Sequence, residues 1–449
     1  MTHRPERAPQ SRSLAPGEFP RRLVLPVFIA GLLIYFVAVA HRTSLGVAGV
    51  EALDRFGTEA MGLSVLAVVQ LAMYALMQIP AGHLLDRFGP GTVMAVGSLI
   101  MAAGQAAMAV TDSLAVAIAA RLLVGAGDAP IFISATRLAA AWFPPRRAPV
   151  MVQITGVVGQ LGQFATAVPV AWVLHGYGWS PAFGMLAGVG VVAAVAAMAW
   201  VRLPQAPAAD ATAPRERLHH SVRGAVGIAG TRLGFWSHFV TPFSMNVLAL
   251  VWGVPFFITA QRRTPAEASV LLLVMTAGAL IAGPIAGVLT GRHPLRRSWL
   301  VLGSASLTAA AWVTLLAFST PRPWWQLVVF CFVIGLGGPI SLVGMDFART
   351  WAPGHRLGVA SGFVNVGGFA ATITGVLLVG GVLQLTSAPG AATYTLGEYR
   401  LAFAALLVPW LVGVVGVVWS RRQTRADMAA AGVTVPPLRD AIRRARTRN

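Results

Sequence analysis

The chain has 449 residues, of which 56% are hydrophobic and 11% charged, and its mean hydropathy is +0.70. No single soluble core of this length requires so apolar a composition, so most of the chain is expected in lipid. The net charge of +19 rests on arginine with no lysine, yet the arginines fall in alternate loops rather than in one patch with interleaved aromatics, which excludes nucleic acid as an expected partner. A lone cysteine, Cys331, in an apolar run excludes a disulfide framework and a zinc set.

Taking about 20 apolar residues per crossing, helices are expected near Leu23 to Arg42, Met61 to Ala81, Thr92 to Val110, Leu114 to Leu138, Val150 to Leu174 and Pro181 to Val201. A second set is expected near Gly230 to Ile258, Ala266 to Leu289, Trp299 to Phe318, Trp325 to Phe347, Leu357 to Leu385 and Tyr399 to Trp419. The expected fold is an all-α membrane protein whose twelve transmembrane helices form two six-helix bundles with pseudo-two-fold symmetry. The expected units are an N-terminal arm (1–22), a first bundle (23–202), a linker rich in proline and arginine (203–228), a second bundle (229–420) and a basic tail (421–449).

Arginines concentrate in the arm, near Arg87, Arg146 and Arg147, in the linker, near Arg292 to Arg297, at Arg356 and in the tail, whereas the first loop of the other side carries Glu51, Asp54 and Glu59. By the positive-inside rule this places both termini in the cytoplasm of a multi-pass protein of the cytoplasmic membrane. The tail arginines, including Arg439, Arg443, Arg444 and Arg446, are expected to rest on anionic lipid headgroups. Arg21, Arg22 and Ala38-Val-Ala40 imitate a cleavable secretory signal, but removing that segment would leave one bundle a helix short.

An internal repeat supports the two halves. Gly82-His-Leu-Leu-Asp86-Arg87-Phe-Gly89 follows the second span, and a worn copy, Gly287-Val-Leu289-Thr-Gly-Arg292, follows the eighth, about 205 residues on. Trp142-Phe-Pro144 pairs similarly with Trp351-Ala-Pro353, and Gly125-Ala-Gly127 with Gly335-Leu-Gly337.

The Gly82 to Gly89 stretch resembles the loop signature of the major facilitator superfamily, and Arg121-x-x-x-Gly125-x-Gly127-x-Ala129 resembles its fourth-helix motif. The resemblance spans about Leu23 to Trp419 and implies two bundles rocking about a central site, hence transport. Under it Gly82, Asp86, Arg87 and Gly89 form a conformational latch. Asp86 would accept from backbone amides at the positive end of a helix in the other half, and the second copy, with Gly291 at that position, lacks the acid. A simpler reading has Asp86 and Arg87 keep the loop in water.

Ionisable groups at bilayer depth are functional candidates because each costs about 2.5 to 3.5 kcal/mol to insert. His41 and Arg42 end the first apolar core, and Arg121 and Asp128 lie seven residues apart on one face of the fourth helix. This set resembles the anion:cation symporter branch, with His41 where that pattern carries an acid. That resemblance implies that Arg42 or Arg121 holds a substrate anion and that Asp128 carries the coupling proton and pairs with Arg121 when substrate is absent. His41, the departure from the pattern, is a further proton candidate because an unperturbed imidazole titrates near neutral pH. Arg121 is equally open to a structural role against helix carbonyls. Tyr35, Tyr74, Gln160, Gln163, Asn246 and Asn365 are further candidates for lining the substrate cavity, and interhelical bonding explains the amides equally well. Asp346 and Arg349 are expected as a helix-end pair or as a gate across the halves.

Enzyme chemistry is not expected, since His-Glu-x-x-His, Gly-x-Ser-x-Gly and Cys-x-x-Cys are absent from the sequence, as is a Walker-type loop. The expected function is proton-coupled symport of a small organic anion, by a monomer without cofactor. The alternatives are a proton-driven exporter of amphipathic compounds, a sugar-phosphate or nitrate-type carrier, and a sensor that has lost transport.

Overall fold

The computed structural model describes residues 21–57, 60–203, 216–388 and 393–433. Residues 1–20 of the N-terminal arm and the tail arginines from Arg439 onward lie outside the described residues. Every backbone amide in a membrane needs an internal partner, and this chain meets the demand with helices.

The first half comprises α1 (Arg21–Val47), a short α2 (Gly49–Phe56), α3 (Ala60–Val110), α4 (Leu114–Trp142), α5 (Ala148–Tyr177) and α6 (Trp179–Trp200). The second comprises a surface helix α7 (Leu218–Gly227), then α8 (Ala229–Ala260), α9 (Pro265–Arg292), α10 (Arg297–Leu316), α11 (Trp324–Trp351), α12 (Leu357–Thr386) and α13 (Leu396–Ala430). At 1.5 Å per residue, the 51 residues of α3 span roughly 76 Å, enough for two crossings. Among the described residues the helices therefore supply twelve crossings, six in each half. Leu33, Leu76, Val192 and Leu377 are among the large apolar side chains left exposed, as a lipid-facing surface requires.

Several boundaries differ from the sequence expectation. The loop expected between the second and third crossings is a kink within α3, at Gly89 with φ 76° and ψ 167°. Pro90 follows it, where the missing N–H is harmless at the start of a new helical segment. The linker contains α7, and α13 runs on to Ala430. Crossing seven is broken: Pro242 and Pro255 each remove an amide donor, and π-helical turns occupy Leu248–Trp252 and Phe256–Ala260.

The halves meet along two seams of the same design. At one, α3 lies against the start of α12, and a Cβ at Gly82 would overlap the Gly358 carbonyl. At the other, α9 lies against the start of α5, where a Cβ at Gly287 would meet Val150 and one at Gly291 would overlap the Arg146 carbonyl. Glycine at these positions lets backbones approach where a side chain would hold them apart. Both seams lie toward the arginine-rich face, so the halves are closed on that side.

Candidate functional site

A cavity of about 240 Å³ lies midway along the crossings, between the halves, and is somewhat smaller than the sites that take drug-sized ligands. Helical spacing builds its walls. Tyr35 and Arg42 stand seven residues apart on α1, and Gln153, Gly156 and Gln160 share one face of α5. The second half contributes His238 and Asn246 from α8 and Asn365 and Phe369 from α12. Tyr74 packs edge-on against Phe369 across the seam, with ring centroids 5.0 Å apart.

Arg42 supplies the charge in this wall. Its Nε donates to Asp128 Oδ2 at 2.6 Å and its Nη2 to Oδ1 at 3.0 Å. The Arg42 side chain is 29% exposed while that of Asp128 is fully buried, so the arginine faces the cavity and the acid lies behind it. The guanidinium also sits 4.7 Å from the centroid of the Tyr74 ring, a cation–π contact. Bidentate pairing of this kind is the strong form of ion pair, and desolvation of both partners is what it offsets.

Arg121 does not reach the cavity and does not pair with Asp128. It is buried, with Nη1 donating to Ser44 Oγ at 3.4 Å and Nη2 to the Arg42 carbonyl at 3.3 Å. Seven residues of helix separate Arg121 from Asp128 by roughly 10.5 Å along the axis, too far for a direct pair. The carboxyl instead meets an arginine on the neighbouring helix. Gln105 donates to the His41 carbonyl at 3.1 Å and Gln70 to the Arg42 carbonyl at 3.3 Å. Arg121, Gln105 and Gln70 thus fasten the turn of α1 that carries Arg42. His41 is buried beside Ala102 and Gly190, outside the cavity wall.

The polar candidates divide. Gln160, Asn246 and Asn365 line the cavity, with Asn246 Nδ2 donating to Thr372 Oγ1 at 3.0 Å. Asn365 Nδ2 donates across the seam to Gln78 Oε1 at 2.8 Å and to the Tyr74 hydroxyl at 3.4 Å. Gln153 Nε2 crosses the other seam to the Pro339 carbonyl at 2.8 Å. The side chain of Gln163 lies outside the described residues. Gln78 escaped sequence reasoning because one amide in an apolar run carries no signal of its own.

At the arginine-rich end, Asp86 reaches the other half. Its Oδ1 accepts from the Gly358 amide at 2.7 Å and its Oδ2 from the Val359 amide at 3.0 Å, at the first turn of α12. An acid at a helix N-terminus satisfies amides that lack intrahelical partners. Arg137 of α4 completes the joint, donating to Asp86 Oδ1 at 2.7 Å and to the Gly354 carbonyl at 3.1 Å. Sequence reasoning passed over Arg137, although a lone arginine near a helix end was a usable signal. Arg87 is exposed over the ring of Phe88, its neighbour in α3. Asp346 binds Arg349 three residues on and Arg297 of α10, all within the second half, so it is a local cluster and not a gate.

This geometry is matched by what the chain resembles. It fits the Major Facilitator Superfamily over residues 31–263 and again over 234–449. The chain belongs to that superfamily. The probable galactarate/D-glucarate transporter GudP of Escherichia coli is 22% identical over 413 residues, covering 83% of this chain and 89% of its own. The probable sulfoacetate transporter SauU of Cupriavidus necator is 29% identical over 169 residues, 38% of this chain and 39% of its own. Among solved structures, the Escherichia coli fucose:proton symporter FucP aligns with TM-score 0.68 at 14% identity, over 89% of this chain and 99% of its own. This superfamily member is a multi-pass membrane transporter and not an enzyme.

Proposed function

We propose that this transporter carries a small organic anion together with a proton across the cytoplasmic membrane, with both termini in the cytoplasm. The observation that carries the reading is the Arg42–Asp128 pair, one member facing the cavity and the other buried behind it. An incoming anion finds in Arg42 a fork of donors of which Asp128 occupies one edge. As the anion takes the guanidinium, Asp128 is left in a dry site without its cation. A charged carboxylate there costs several kcal/mol, and uptake of a proton removes that cost. Anion and proton then travel together. On release Arg42 returns to Asp128 and the proton leaves.

Tyr35, Tyr74, Gln160, Asn246 and Asn365 serve as the substrate's neutral contacts in this reading, and Asp86 acts as the latch. Arg121 positions Arg42 from behind. Two relatives are named for organic anions, galactarate/D-glucarate and sulfoacetate, which supports an anionic substrate. The orientation rests on the arginines, which crowd the face carrying the termini.

The deciding experiment is uptake by the purified protein in liposomes, across a panel of organic carboxylates and sulfonates, with and without an inward proton gradient. Accumulation above equilibrium that a protonophore collapses is the expected result. Uptake indifferent to the gradient, or restricted to neutral solutes, would overturn the reading.

A further inference from the structure

We propose that an arginine-lined cleft at the second seam binds a phosphate-bearing anion, and that its occupancy favours the state closed at the arginine-rich face. The cleft holds about 1110 Å³ and lies between the loop joining α4 to α5 and the loop joining α9 to α10. Arg146 and Arg147 enter it from the first half, and Arg292, Arg297 and Arg349 from the second. Asp346 is the carboxylate in its wall, and it is already held by Arg297 and Arg349. Arg146, Arg147 and Arg292 are exposed and form no ion pair among the described residues.

Five guanidiniums around one carboxylate leave a strong positive excess across the seam where the halves must meet. Like charges gathered in one cleft oppose closure. A group carrying two negative charges and several acceptor oxygens matches the arginine fork and relieves the repulsion. The site is separate from the central cavity, because Gln153 on Pro339 and Gly287 against Val150 stand between them. It also depends on the closed state. Gly291 touches the Arg146 backbone there, and parting the halves would draw Arg146 and Arg147 away from Arg292. An anion that bridges both sets binds the closed state better than the open one, and by linkage favours it. The same chemistry is offered by a phospholipid headgroup and by a soluble phosphate compound.

The test uses the full-length protein in phosphatidylcholine nanodiscs, with spin labels at Leu84→Cys and Leu295→Cys in a Cys331→Ser background. Equilibrium dialysis with pyrophosphate is run beside it. Saturable pyrophosphate binding, with a closed-to-open ratio raised by about fivefold, would support a soluble ligand. The same rise from phosphatidylglycerol without pyrophosphate binding would support a headgroup. The variant Arg146→Gln/Arg147→Gln/Arg292→Gln, which should still show both distance populations in neutral lipid, is expected to lose the response. Absence of both binding and shift in the parent protein, or an equal response in the triple variant, overturns the proposal.

Discussion

Asp128 of α4 accepts from both Nε and Nη2 of Arg42 on α1, at 2.6 and 3.0 Å, and so ties a charge at the cavity wall to an acid that the cavity does not reach. The proton and the anion of the proposed cycle meet at this joint, and the first two predictions address it.

Asp128→Asn keeps the shape of the side chain and removes its ability to exchange a proton. Gradient-driven accumulation of the anion is expected to disappear, while exchange of labelled for unlabelled anion across the same liposomes persists. Accumulation at the parent rate would show that the coupling proton resides elsewhere.

Arg42→Ala is expected to weaken anion binding by about 30-fold or more, the scale set by losing one partner of a buried charged hydrogen bond. It also strands Asp128, at about 3 to 5 kcal/mol of stability. Thermal unfolding separates the two effects: the double variant Arg42→Ala/Asp128→Asn should regain most of the lost stability and none of the binding. Arg121→Lys, which keeps a charge behind α1 without the fork, should reduce transport less than Arg42→Lys does.

Much of this was legible in the chain itself. Glycines and charges stand out against an apolar background, so the twelve crossings, the motif from Gly82 to Gly89 and the residues Arg42 and Asp128 can all be read directly, though not that the motif forms a kink within α3 instead of a loop. Pairing across helices cannot. The seven-residue spacing of Arg121 and Asp128 fixes a shared face but not the helix facing it, and the partner proved to be Arg42. Arg137 and Gln78 escaped notice for a related reason. Their meaning depends on Asp86 and Asn365, which lie 51 and 287 residues away.

Asp86→Ala should loosen the closed arginine-rich face. A carboxylate on helix amides contributes about 0.3 to 2 kcal/mol, so the open population should rise by up to roughly 30-fold. Spin-label distances across that face would read the change. Arg137→Ala should act in the same direction, and the double variant should fall short of additivity because both share one joint.

Gly82→Ala and Gly89→Ala separate two uses of one residue type. At Gly82 the methyl group would overlap the Gly358 carbonyl, so closure should fail while each half stays folded. At Gly89 there is open space, but φ 76° with ψ 167° is a backbone conformation essentially confined to glycine, so the expected cost is about 1 to 3 kcal/mol of stability with closure intact. Unfolding curves and closure distances measured on both variants would check the distinction.

Glu216 carries the pH prediction. The hydrogen bonds and charge of Arg356 hold its carboxyl below the ordinary carboxylate value of 4.5. The charged form is therefore favoured in the folded protein. Its contribution is fully present above pH 4.5 and is lost as pH falls through the lower folded value. The protection factors of the α7 amides, their exchange rates relative to the unstructured rate at each pH, should fall over that acid range, and Glu216→Gln should remove the dependence.

The substitution of Gly291 for an acid leaves the two seams unlike. One is fastened by a buried carboxylate on a helix end, which salt screens little. The other closes by backbone contact beneath a crowd of arginines, and answers to how well surfaces fit and to which counter-ions gather there. A two-fold machine with unlike hinges has a resting posture, and that posture can be retuned at one hinge without disturbing the other.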